Sequence, residues 1–117
     1  MAEPGTQAVP SPTPVRIIDE LVPHPGRADD VVALLLRRYA PGAAERGLTL
    51  EHLWRSPPAD LVADGTRLTI VWSVPDAAAW WRQRGLAGQD PSVVAFWADL
   101  DELLVSRDRR VCEELDR

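Results

Sequence analysis

The chain holds few groups suited to moving protons at neutral pH. Of its two histidines, His24 sits between prolines in Pro23-His24-Pro25-Gly26, a surface turn. His52 lies in Leu48-Thr49-Leu50-Glu51-His52-Leu53-Trp54-Arg55, a stretch closed by Ser56-Pro57-Pro58. Read as a strand, its even positions place Leu48, Leu50, His52 and Trp54 on one face, which their apolarity assigns to the interior. An imidazole of pKa about 6.5 beside an indole suits cyclisation, enolisation or oxidation of a phenol, each of which passes a proton next to an apolar cavity. The same placement also describes a strand histidine satisfied by a carbonyl or a water.

Around that group stand side chains that could shape a site. Trp54, Trp72, Trp80, Trp81 and Trp97 are many indoles for 117 residues. They could wall a pocket for a flat aromatic or polyketide-like molecule, or pack a core and a subunit interface. Trp54 and Trp72 suit a cavity best, since they can lie on neighbouring strands, and Trp80 follows one helix later. Tyr39 ends an apolar helical stripe, where it either donates to a ligand carbonyl or anchors packing. Arg55 and Arg82 could orient an anionic or enolate oxygen, or be solvated and paired. Asp19 and Glu20 interrupt an apolar strand, which places them at an edge or at a pocket.

Other chemistries are closed. All thirteen basic residues are Arg, and without Lys neither a Schiff base nor a phosphate-binding P-loop can form. Two histidines on separate elements and a lone Cys112 do not supply the clustered ligands of a metal site. Ser56, Ser73, Ser92 and Ser106 lack the context of a nucleophile elbow. A net charge of −5 argues against nucleic acid and against an anionic membrane surface. No apolar run approaches the roughly 20 residues that span a bilayer, and no secretory signal is visible. With a single Cys, the expected setting is the cytoplasm. Lack of Lys and Asn beside abundant Ala, Val and Pro points to a GC-rich bacterial genome.

The elements that must position these groups are legible in order. Residues 1–14 carry four prolines and read as an extended tail. A strand is expected over Val15–Val22. Asp29 and Asp30 open a helix with Val31, Val32, Leu34, Leu35, Leu36 and Tyr39 along one broad stripe. Pro41-Gly42 should break or kink it, with Ala43 to Arg46 adding a turn and Gly47 stopping it. After the His52 strand, residues 56–66 form a loop turning at Asp64-Gly65. A third strand over Arg67–Trp72 leads to Ser73-Val74-Pro75-Asp76, read as a capping box with Ser73 as the cap. The next helix should end at Gly85, and Asp90-Pro91 starts another. A last strand runs through Arg109, Val111 and Glu113.

Strand, helix, strand, strand, helices, strand is the order of an α+β, ferredoxin-like split βαβ fold: a four-stranded antiparallel sheet with helices on one face. A single domain over 15–112 is expected, with a short C-terminal tail at 113–117. A sheet covered on one side needs a partner on the other, and a second copy of the chain is the economical one.

Several local marks resemble the dimeric α/β-barrel superfamily, particularly its antibiotic-biosynthesis-monooxygenase-like and NIPSNAP-like branches. They are Pro25-Gly26-Arg27 after the first strand, the helix end Tyr39-Ala40-Pro41, and Val71-Trp72-Ser73 leading into Ala77-Ala78-Ala79-Trp80. Asp90-Pro91 opening a helix that carries Phe96-Trp97 is the last. The resemblance covers residues 15–112 and speaks to fold more than to function. It implies a homodimer, with cofactor-free oxygenases, polyketide cyclases, isomerases and haem-degrading enzymes among the relatives. Haem-degrading members place a His after the third strand and an Asn in the pocket. This chain has neither, so no haem and no other cofactor is expected. The resulting expectation is a cofactor-independent cyclase or isomerase acting on an aromatic or polyketide-like small molecule. In it His52 and Tyr39 do the chemistry, and Trp54, Trp72, Trp80, Arg55 and Arg82 bind. A monooxygenase or a non-catalytic binding or assembly protein of the same fold are the alternatives.

Overall fold

The computed structural model describes residues 13–59 and 65–117. Most of the expected N-terminal tail and the Asp64 half of the expected turn lie outside them. The order is β1 (Val15–Pro23), α1 (Ala28–Leu34), a π-helical turn (Leu35–Tyr39), α2 (Ala40–Glu45), β2 (Thr49–Ser56), β3 (Arg67–Val74), α3 (Ala77–Gly88), α4 (Pro91–Asp101) and β4 (Leu104–Glu113). The strands form one sheet in the order β2-β3-β1-β4, and each neighbouring pair is antiparallel. This is the ferredoxin-like arrangement that the sequence order implies.

Strict alternation builds the core. In β1, Val15, Ile17, Asp19 and Leu21 are buried, while Arg16, Ile18, Glu20 and Val22 are half-buried on the opposite face. In β3, Leu68, Ile70, Trp72 and Val74 join the first set, and the helices supply Val31, Leu35, Tyr39, Trp80, Phe96 and Leu100 to the same cluster. The helices therefore cover one face of the sheet and leave the other open.

Pro41 does not end the helical segment, which continues to Glu45. The turn before it widens instead: the Ala40 amide bonds back to the Leu35 carbonyl, a π-type connection that takes up the distortion a proline imposes. The real stop is Gly47, at φ +100°, with the Leu48 amide donating to the Ala43 carbonyl and the Gly47 amide to the Ala44 carbonyl. This pair of bonds is a Schellman closure, which needs a left-handed residue at that point.

Two further expectations are corrected. Asp76, not Ser73, caps α3, accepting from the Ala79 amide at 2.8 Å, and Ser73 donates to Glu51 Oε2 at 2.6 Å instead. The helix also runs through Gly85 to Gly88, because a glycine inside a helix weakens it without breaking it. Asp90 caps α4 as expected, accepting from the Ser92 amide and hydroxyl. Those bonds hold the Asp90 carboxyl below the usual 3.8.

Replacing Asp76 by Ala should destabilise the fold by about 1 kcal/mol, read from the urea midpoint. Asp90→Ala should lower the melting temperature at neutral pH. Since folding depresses the Asp90 pKa, its contribution is full above the ordinary carboxylate value and fades as pH falls through the lowered one. A melting difference that persists unchanged at pH 2 would contradict that assignment.

Candidate functional site

The expected single face of the His52 strand is divided by a β-bulge. Pairing between β2 and β3 steps from Leu50↔Trp72 to His52↔Val71, leaving Glu51 as the extra residue. Before the bulge, Leu48 and Leu50 share the helix-covered side. After it, His52 and Trp54 lie across from Val71 and Thr69 on the open face of the sheet. His52 is exposed and stacks on Trp54 with ring centroids 4.7 Å apart, and Trp54 itself is 54% exposed. The interior position read from alternation is thus corrected. An inserted residue shifts the period-two pattern by one and sends the later side chains to the other side.

The groups that the fold gathers lie under the helices. Asp19, on a central strand and 2% exposed, stands opposite Arg109 in the β1–β4 register. Its carboxylate accepts from Arg109 Nε at 2.6 Å, from Arg109 Nη2 at 2.8 Å and from Trp72 Nε1 at 3.0 Å. Arg109 Nη2 also reaches the Tyr39 hydroxyl at 3.4 Å. A forked pair of this kind is the strong form of ion pair. Burial works against the charge on Arg109, yet the hydrogen bonds and charge of Asp19, with Tyr39 behind them, hold its pKa above the ordinary value.

Aromatic rings enclose this network. Tyr39 packs against Trp72 at 5.5 Å, Phe96 at 5.1 Å and Trp97 at 5.3 Å between centroids. Arg109 lies 5.4 Å from the Trp97 ring, and Arg46 lies 5.3 Å from the Tyr39 ring. Arg46 Nε donates to Gln83 Oε1 at 3.0 Å.

Arg109 is 28% exposed, and what it faces is a cleft between α3 and β4. One cavity of about 320 Å³ is lined by Trp80, Gln83, Arg84, Ala87, Arg109 and Val111. A second, of about 410 Å³, shares Trp80, Arg84 and Val111 and continues past Val15, Trp81 and Glu113. The shared walls make these two parts of one groove, apolar along its length and polar at the Arg109 end. Its volume is in the range of small-molecule sites.

The residues expected to form a single site therefore divide. Tyr39 and Trp72 belong to the Asp19–Arg109 network, and Trp80 walls the cleft. His52 and Trp54 share the opposite face of the sheet. Arg55 is paired with Asp29 at 3.3 Å, and Arg82 is exposed on α3. Gln83, Arg46 and Arg84 carry no distinguishing mark in the sequence. Arg109 lies in the short basic run Arg107-Asp108-Arg109-Arg110, whose expected role is interface or intrachain pairing, and Arg107 and Arg109 do pair within the chain. Asp19 is a misfit in an apolar strand, and that misfit is the signal the sequence carries. Among the described residues no cluster of His, Cys, Asp and Glu could hold a metal ion. No described helix is long and apolar enough to cross a membrane.

Geometry thus defines the class first: a ferredoxin-like α+β domain with a ligand-sized cleft between its sheet and its helices. Solved structures place it more closely. The chain is similar to a NIPSNAP family protein from Agrobacterium tumefaciens, with TM-score 0.70 at 15% identity over 93% of this chain and 92% of that one. A second NIPSNAP family protein from that organism, described as having unknown function, gives 0.69 at 10% identity over 89% of each chain. An uncharacterised NIPSNAP domain protein from Burkholderia xenovorans gives 0.64 at 15% identity, over 85% of this chain and 91% of that one. At such identities the likeness is one of fold, and at that level it bears out the resemblance read from the sequence. No family model and no curated protein sequence matches the chain.

Removing the carboxylate with Asp19→Asn leaves the Arg109 charge without its partner in a largely dry setting. The expected loss is on the order of 3 kcal/mol in denaturant unfolding, tempered by the partial exposure of Arg109. A loss below about 0.5 kcal/mol would show the pair to be no stronger than a surface bridge.

Proposed function

We propose that the protein is a small-molecule enzyme. It binds an apolar aromatic or polyketide-like ligand in the α3–β4 cleft and promotes enolisation, isomerisation or cyclisation with its own side chains. The observation that carries this reading is the Asp19–Arg109–Tyr39 network opening onto a cavity walled by Trp80. A fixed cation at the end of an apolar groove is suited to hold the oxygen on which an enolate charge develops. Arg109 would take that role, oriented by Asp19 and backed by the Tyr39 hydroxyl. His52, on the other face of the sheet, is left outside this chemistry.

A direct test is deuterium exchange α to the carbonyl of aryl β-diketones in D2O, followed by NMR. The protein should accelerate exchange, and Arg109→Met should slow it about a hundredfold, as expected for loss of a donor to the developing oxyanion. Arg109→Lys keeps a charge beside Asp19 but loses the fork, and should slow exchange as well. His52→Gln should leave the rate unchanged. Ligand binding without any acceleration would favour the non-catalytic reading and refute this one.

The uncovered sheet face supports a second proposal, that two copies stack through it. Its strip of Ile18, Val71 and the His52–Trp54 pair is bordered by the Arg16–Glu51 and Arg67–Glu20 ion pairs. An exposed indole on a flat sheet is the kind of residue that anchors an interface. Light scattering should give twice the chain mass, and Trp54→Arg should give the monomer. A native monomer at micromolar concentration would rule the pairing out.

A further inference from the structure

Gln83 is only 1% exposed, yet it lines the cleft. Its carbonyl oxygen accepts from Arg46 Nε. An arginine can only donate, so the amide cannot be turned round without losing that bond. Gln83 Nε2 is therefore the end left over, and it has no hydrogen-bond partner among the described residues. Behind it, Arg46 Nη2 is buried without a partner among the described residues. One buried donor, Arg46 Nη2, is thus unsatisfied behind this side chain, and Gln83 Nε2 is left to whatever the cleft holds.

Charge in the cleft points the same way. Arg84 makes no ion pair among the described residues and lies against the Trp81 ring at 5.7 Å. Arg109 spends Nε and Nη2 on Asp19, and among the described residues its Nη1 has no hydrogen-bond partner. The cavity that Gln83 lines thus carries two guanidinium groups and no carboxylate of its own, on a chain whose net charge is −5. Among the described residues the carboxylate that lines the groove is Glu113, in its other part.

We infer that the cleft selects ligands carrying an oxyanion, a carboxylate or an ionised phenol or enol, at the Arg109 end of an apolar ring system. In this inference Arg46 is a positioning residue that sets the preference by holding Gln83 with its amide nitrogen toward the ligand. It rests on the cleft being the ligand site and adds the chemical class that the site accepts. The ring lies along Trp80 and Val111, and the oxyanion receives from Gln83 Nε2 and Arg109 Nη1.

The test uses three naphthalene probes that share a ring and differ in head group: 2-naphthoate, 2-naphthalenemethanol and 2-naphthylmethylammonium. Each is titrated against the intrinsic Trp fluorescence of the full chain. The native protein should bind the carboxylate at least about tenfold tighter than the alcohol and more weakly still the ammonium, the size expected for hydrogen bonds to a charged group. Gln83→Glu keeps the bond from Arg46 but presents an oxygen to the cleft, and should erase the preference for the carboxylate while leaving alcohol binding in place. Arg46→Met frees the amide to turn, and should narrow the preference without weakening the alcohol. Equal binding of all three probes by the native protein overturns the inference and leaves the cleft standing. Failure of every probe to bind overturns the cleft as ligand site, and the inference with it. Gln83→Leu, which keeps the volume without polar atoms, provides the same reading if the carboxylate variant does not fold.

Discussion

The structure depends on one buried carboxylate. Asp19 stands on a central strand among Ile17, Leu21, Ile70 and Trp72, where an unpaired charge would be intolerable. It is accommodated because the β1–β4 register sets Arg109 directly opposite and because the Trp72 indole supplies a further donor. Three bonds on one carboxylate then tie β1, β3 and β4 together, and through Tyr39 they reach the helical segment. A sheet of this kind could be held by apolar packing alone. Using an ion pair instead fixes the register of β4 and places a cation at the bottom of the cleft.

From that constraint the functional face follows. Arg109 is anchored on one edge of its guanidinium, so its orientation is preset before any ligand arrives. Preset charge in an apolar groove is worth more than the same charge in water, because no dipoles need to turn when the ligand's charge develops. The rings of Tyr39, Phe96 and Trp97 keep the rear of the network dry. Gln83, held by Arg46, repeats the arrangement on the helix side of the cleft. The two faces of the sheet thereby take separate tasks: the covered side carries the cleft, and the open side carries the surface on which a second copy is proposed to sit.

Much of the fold was legible in the chain because it is written in short-range patterns. Alternation in β1 and β3, the helical stripe ending at Tyr39, Gly47 as a stop and Asp90-Pro91 as a start each depend on a few neighbouring residues. The misreadings share a cause. Ser73 looked like a cap because of its spacing, but a closer carboxylate at Asp76 took that place and Glu51 on the neighbouring strand took Ser73. His52 looked interior because alternation was carried through Glu51, and no local mark announces a bulge whose extra residue is settled by its partner strand. Pro41-Gly42 read as a break or a kink, and that the distortion takes the form of a π turn is a property of backbone geometry rather than of composition.

By itself, then, the sequence determined the order of the elements, the ferredoxin-like class and the exclusion of Lys-based and serine-nucleophile chemistry, since these follow from residue types and from periodicity within one element. It marked Asp19 as out of place without saying what would satisfy it. Only the tertiary structure decided that Arg109, 90 positions along the chain, is the partner. It likewise decided that Tyr39, Trp72 and Trp80 face one side of the sheet while His52 and Trp54 face the other. The reason is physical: a side chain's face in a sheet depends on register, and register is set by pairing between strands far apart in sequence.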